Sequence, residues 1–171
     1  ITSHEDAGPL TGANLDTADN FVDTDLSMIF TADGTTISTG TGVELFNEAS
    51  KTLSLGGDNL DLAGNFDNNG TLTVTTETIN IGGNWDNDAA GVFTPGTGTV
   101  IFDGTAAQMI TSNSDPFTNV RNSNTAATVT LTDNFSAAGT FTNDASATTS
   151  LDGNNFSITS TFSNDGTIQL Q

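Results

Sequence analysis

Five aspartates each adjoin an asparagine that stands two residues after an aromatic: Asp67, Asp86, Asp88, Asp144 and Asp165. Hard cations take side-chain oxygens of this kind, so these five are the candidate ligands for Ca2+, the one cofactor the sequence suggests. Their spacing is neither that of an EF-hand loop nor that of a Gly-Gly-x-Gly-x-Asp nonapeptide, so the match to calcium is generic. A carboxylate pair such as Asp86 and Asp88 has the chemistry to flank a glycosidic bond. Acidic pairs recur at turns throughout the chain, however, and only Lys51 and Arg121 are available to hold an acidic sugar. The single histidine, His4, lies in the acidic N-terminal arm and reads as an exposed bystander, and there is no cysteine to serve as nucleophile or thiolate ligand. No catalytic residue is assigned, and the expectation is a protein without enzymatic activity.

The asparagines themselves point to structure. Asn68, Asn87, Asn119, Asn143 and Asn164 each follow Phe66, Trp85, Phe117, Phe141 or Phe162 by two positions. A buried carboxamide needs partners, and stacked copies of one turn supply them, each side chain bonding the next as a ladder. Phe66, Trp85, Phe141 and Phe162 are the expected core aromatics. Trp85 fills a slot that is Phe in other copies, which makes it core filler rather than a sugar-stacking platform.

These residues belong to a repeated phrase: apolar, any, apolar, three small or polar residues, aromatic, any, Asn. It runs through Leu60, Leu62, Phe66 and Asn68, then Ile79, Ile81, Trp85 and Asn87, and again through Phe156, Ile158, Phe162 and Asn164. A weaker copy occupies Phe135, Ala137, Phe141 and Asn143. Apolar positions two apart within a unit of about twenty residues mark stacked strands rather than helices. Leu60 with Leu62 should face inward together, as should Leu72 with Val74. Phe162, Gly166, Ile168 and Leu170 repeat the offsets of Phe66, Gly70, Leu72 and Val74. The predicted fold is all-β, a parallel β-helix or β-solenoid of about seven coils, roughly 34 Å tall at strand spacing. The alternative is a β-sandwich of the pilin kind completed by a donated strand. Residues 26–171 form the repeat domain. Residues 1–25, with Glu5, Asp6, Asp16, Asp19, Asp23 and Asp25, form an acidic arm or cap that matches no later unit.

Charge narrows the partners. Twenty-one acidic side chains against two basic ones give a net charge of −19, which repels phosphate and excludes nucleic acid. No apolar run is long enough to span a membrane as a helix. The chain opens on Ile1 rather than Met, which favours processing and secretion.

A larger period of about 72 to 75 residues relates Met28-Ile29-Phe30 to Val100-Ile101-Phe102, and Leu60 with Phe66 to Phe135 with Phe141. Within it, Gly83-Asn84-Trp85-Asp86-Asn87, Phe93-Thr94-Pro95-Gly96-Thr97-Gly98-Thr99-Val100-Ile101-Phe102-Asp103-Gly104 and Phe117-Thr118-Asn119-Val120 resemble the tandem repeats of very large secreted bacterial surface proteins. The resemblance covers about residues 28–171. It implies an extracellular or cell-surface β-solenoid with an adhesive or structural role. The expected function is a subunit of a surface filament or layer, assembled with itself head to tail through open solenoid ends and the N-terminal arm. The alternative is an adhesin stalk or module that binds surface glycans. Ice binding and polysaccharide cleavage rank behind both. Five and seven positions past each aromatic the threonine rank is broken: Thr71 and Thr73 give way to Ala90 and Val92, then Ser146 and Thr148, then Thr167 and Gln169.

Overall fold

In the computed structural model, residues 21–23, 28–29, 36–39 and 43–170 are described. The N-terminal arm before residue 21, His4 included, lies outside them. Among the described residues there is no helix, so none is long and apolar enough to cross a membrane.

Every strand is short, because inward apolar residues alternate with polar ones for only three or four positions before Gly, Asn or Asp turns the chain. Eight strands stack as one sheet: β1 (Phe21–Asp23), β4 (Glu44–Asn47), β7 (Phe66–Asn68), β10 (Trp85–Asn87), β13 (Gln108–Thr111), β15 (Thr128–Leu131), β18 (Thr148–Ser150) and β21 (Thr167–Gln169). Seven more form a second: β3 (Thr36–Ser38), β6 (Asn59–Leu62), β9 (Thr78–Ile81), β12 (Thr99–Phe102), β14 (Asn119–Asn122), β17 (Thr140–Asn143) and β20 (Thr161–Asn164). The third side is divided. β2 (Met28–Ile29), β5 (Thr52–Ser54), β8 (Thr71–Thr73) and β11 (Val92–Thr94) line it early in the chain, and β16 (Phe135–Ala137) with β19 (Phe156–Ile158) line it late.

All pairings are parallel and join each strand to the one a coil away. The molecule is therefore a β-solenoid of about six turns with a period of about 21 residues, the seven strands of the second sheet bounding those turns. At strand spacing that sheet is about 29 Å tall.

The core is a single column. Leu60, Ile79, Val100, Val120, Phe141 and Phe162 stand in register down the second sheet, and Leu53, Leu72 and Phe93 down the third. An aromatic chain threads it, with centroid separations of 4.9 Å for Phe66–Trp85, 5.3 Å for Trp85–Phe117, 5.2 Å for Phe117–Phe135 and 4.8 Å for Phe141–Phe156. Two glycines are fixed by close approach of backbone. A Cβ on Gly64 would collide with the Val43 carbonyl oxygen, and Gly96 combines φ +52° with an equally closed approach to Thr75.

The repeated phrase is real, yet it does not always mark the same face. Leu60 and Leu62 lie on the seven-strand sheet and Phe66 on the eight-strand sheet, whereas Phe135 and Phe156 lie on the two-strand sheet and Phe141 and Phe162 on the seven-strand sheet. The phrase measures the short corner of the coil. Early in the chain that corner joins the second sheet to the first, six positions from Leu60 to Phe66. Later the same link stretches to eleven positions, from Val120 to Leu131, and the short corner moves to the preceding edge, Phe135 to Phe141. The matching offsets of Phe66 with Leu72 and Phe162 with Ile168 thus belong to different faces.

Candidate functional site

The polar interior is the feature to build. Asn residues at the strand ends turn inward where the coil bends, and Asn47, Asn68, Asn87, Asn122 and Asn143 are buried there, whereas Asn164 in the last coil is exposed. Asn47 donates from Nδ2 to Asn68 Oδ1 at 2.6 Å, and Asn68 Nδ2 donates to Asn87 Oδ1 at 2.7 Å. Asn87 Nδ2 then donates to Asp115 Oδ2 at 3.1 Å, so a carboxylate closes the series. A second ladder starts on the other sheet: Asn122 Nδ2 to Asn143 Oδ1 at 3.0 Å, then Asn143 Nδ2 to Asn164 Oδ1 at 2.8 Å. Thr149 enters this one, accepting from Asn122 Nδ2 at 2.9 Å and donating to Asn143 Oδ1 at 3.0 Å.

The expected single ladder is therefore two ladders on two edges. Asn68 and Asn87 belong to the first, Asn143 and Asn164 to the second. Asn119 belongs to neither. Its Nδ2 donates to the Thr97 and Gly98 carbonyls, its Oδ1 accepts from the Thr140 amide, and the ladder position in its coil is Asn122. Of the core aromatics, Phe66, Trp85 and Phe141 are buried, whereas Phe162 is 49% exposed because no coil covers it.

The five candidate calcium ligands do not converge. Asp67 and Asp86 are register partners on the outside of the eight-strand sheet, with Asp88 at the adjoining corner. Asp144 and Asp165 follow the second ladder, and Asp144 accepts from Arg121 Nε at 2.9 Å and Nη2 at 2.8 Å. Among the described residues no three His, Cys, Asp or Glu side chains are grouped to hold a metal ion. Burial, then the Asp86, Asp88 and Glu44 carboxylates, push Asp67 up to about 6, and burial with Asp88 and Asp133 pushes Asp86 up. A column of carboxylates in register repels itself.

Several structural polar residues carry no periodic signal and were not singled out by the sequence. Glu77, buried at a corner, accepts from the amides of Gly57 at 2.6 Å, Thr76 at 2.6 Å and Thr75, and from the Thr75 hydroxyl. Burial pushes its carboxyl up, and the backbone donors together outweigh burial and hold it below its ordinary value. Gln108 fills the lengthened corner, donating to the Ile81 and Gly83 carbonyls and accepting from Gly104 and Asn124. The one available clue is position: Asp58 and Glu77, both buried, stand two residues before the inward Leu60 and Ile79.

On the outer face, Thr71 pairs with Val92 and Thr73 with Thr94, since the turn through Ala90 is two residues longer than its predecessor. The threonine rank is thus offset from the spacing read in the sequence. On the seven-strand sheet Thr78 pairs with Thr99 and Thr140 with Thr161, while the neighbouring column carries the charges of Asp61 and Arg121.

Comparison with protein-family models, with curated proteins and with solved structures finds no match to this chain.

Proposed function

We propose that this chain is a non-enzymatic structural protein of the extracellular space, a subunit of a surface filament, pilus-like fibre or layer in which solenoids stack end to end. One observation carries the reading: the last coil has the form of the others but is uncovered. Phe162 and Leu170, 49% and 80% exposed, join Leu151, Phe156, Ile158 and Ile168 around a groove of about 420 Å³. β20 and β21 end their sheets, each paired on one side only. An apolar floor bordered by open strand edges is a template for another coil. The polar interior supports the same role, because its amides are engaged in holding coil to coil. The secreted setting rests on the resemblance to large bacterial surface proteins and on the acidic exterior.

The partner is another copy of the chain. Sedimentation of the purified protein over a wide concentration range at moderate salt, with electron microscopy of the densest fraction, tests this. Mass that grows with concentration and short rods that lengthen are expected; a constant monomer mass overturns it. The second reading, a stalk or glycan-binding module of an adhesin, is favoured by the resemblance alone and requires monomeric rods that bind surface glycans.

A further inference from the structure

Resting on that reading, we propose that the first joint is isologous: two copies meet tail to tail about a two-fold axis that crosses β20, and this pair, heads outward, is the unit from which the fibre or layer grows. One inward column of the seven-strand sheet shows why. It runs in register from Ile37 through Leu60, Ile79 and Val100 to Phe162, so Ile37 and Phe162 are the same position at opposite ends. β3 and β20 each end that sheet, yet Ile37 is 1% exposed and Phe162 49%. At the head, β1 and β2 carry the other two sides one strand beyond β4 and β5, and Val43 and Leu45 are buried with Ile37. At the tail, among the described residues, no strand lies beyond β19, β20 or β21. The head-to-tail contact expected from the sequence needs an apolar face at each end. Among the described residues only the tail presents one, and its match is a second tail.

The tail is complementary to itself. Its floor holds one polar side chain, Asn164, and no charge. Asp152 and Asp165 are the only charged residues after Leu151, and neither lines the groove, so two chains of charge −19 meet there without crossing like charges over the apolar area. Identical edge strands related by a two-fold run antiparallel, an arrangement in which each both donates and accepts backbone hydrogen bonds. The last coil also rises as a ramp through β19, β20 and β21, with a free step after β21. A two-fold axis across β20 sets step against step and lays β21 on the second copy's β19. Ile168 of each copy then faces the side of the other that carries Phe156 and Ile158, while Phe162 closes the centre. A contact that joins a surface to itself closes after two copies.

The chain has no cysteine, so single introduced cysteines report position without background. Ser38 in β3 and Ser163 in β20 stand at the two ends of one outward column of the seven-strand sheet. Where the unaltered protein associates, a short bis-maleimide should couple Ser163→Cys to itself, and should couple Ser38→Cys neither to itself nor to Ser163→Cys. Coupling between the two variants would show head-to-tail stacking. That outcome, coupling of Ser38→Cys to itself, or no coupling in an associating protein overturns this inference and leaves the assembly reading standing. An unaltered chain that keeps its monomer mass at every concentration overturns the assembly reading itself. Phe162→Asp should raise the concentration needed for association at least about thirtyfold, as loss of a central contact does. Thermal melting checks that this variant is folded, and Leu170→Asp, at a side chain 80% exposed, takes its place if it is not. Association equal to that of the unaltered chain in the folded variant overturns the joint.

Discussion

The two halves of the solenoid solve one problem on different edges. From β4 to β10 the ladder of Asn47, Asn68 and Asn87 runs along the eight-strand sheet, and from β14 to β20 the ladder of Asn122, Asn143 and Asn164 runs along the seven-strand sheet. The coil containing Gln108 and Phe117 separates them. There the first ladder is stopped by Asp115, the corner is refilled by Gln108 and Asn124, and the aromatic chain crosses the interior through Phe93 and Phe117. A coil of fixed perimeter can lengthen one corner if it shortens another. Each ladder stands at the far end of the strand entered through the short corner: Asn68 closes β7 after the corner from Leu60 to Phe66, and Asn143 closes β17 after the corner from Phe135 to Phe141.

If the ladders are equivalent, their middle members should matter about equally. Asn68→Ala and Asn143→Ala each remove a buried carboxamide bonded to a neighbour on both sides, so each should cost on the order of 2 to 3 kcal/mol, the lower figure for Asn143 because the Asn122 amide keeps Thr148 and Thr149 as acceptors. Asn164→Ala, at the open end, should cost little in the monomer, on the order of 0.5 kcal/mol. Urea denaturation of the three variants measures this. A loss confined to one half would break the equivalence and leave one ladder ornamental. Equal losses at Asn143 and Asn164 would show that the last coil is already covered in solution.

The pattern of two apolar positions, a short gap and an aromatic was legible because parallel stacking places each residue on its own kind. The face was not, because the phrase is a local measure. It records the distance between neighbouring faces, whereas which face is meant depends on residues outside it, such as the extra positions between Phe102 and Ile110. Asn119 misled for the same reason. It lies two residues past Phe117 as the others lie past their aromatics, but its strand begins one position before Val120, so the inward ladder slot falls to Asn122. Asp115 and Gln108 were unreadable because each acts once. A residue that satisfies a single irregular corner leaves no period behind.

The early half also concentrates its carboxylates, inside and out, and they respond oppositely to acid. Glu77, held below its ordinary value by backbone donors, contributes stability that is present above about 4.5 and lost as pH falls through its folded value. Asp67 is raised, so the folded state takes up a proton first, and stability increases as pH falls through about 6 until the unfolded carboxyl also protonates near 3.8. Thermal melting should therefore peak between these limits, at about pH 5, rather than at neutrality. Glu77→Gln turns an amide donor toward backbone donors and should cost about 2 kcal/mol at pH 7. It should also remove most of the loss below pH 4.5. Asp67→Asn should stabilise at pH 7 by only about 1 kcal/mol, since much of the side chain is solvated and its neighbours are screened. It should flatten the rise between pH 7 and pH 5. A melting curve with no acid maximum in the unaltered chain would show that the carboxylate column is too well solvated to matter.

A small effect is also expected at the one Trp, which separates the halves in a different way. Trp85 stands in register with Phe66, is 1% exposed, and its indole Nε1 has no hydrogen-bond partner among the described residues. The later aromatics, Phe117, Phe135, Phe141 and Phe156, need no donor satisfied. Replacing Trp85 by Phe removes a buried unmade hydrogen bond worth about 1 to 3 kcal/mol of penalty and loses packing of similar size as the ring shrinks. The terms oppose, so Trp85→Phe should lie within about 1 kcal/mol of the unaltered protein, whereas Phe66→Ala should cost about 3 to 5 kcal/mol. Urea denaturation distinguishes the cases. A loss above about 3 kcal/mol for Trp85→Phe would mean that the N–H is bonded to the face of a neighbouring ring, with Phe66 or Phe93, each 4.9 Å away, as the acceptor. The indole would then be a fitted element of the early half rather than a larger filler of a phenylalanine slot.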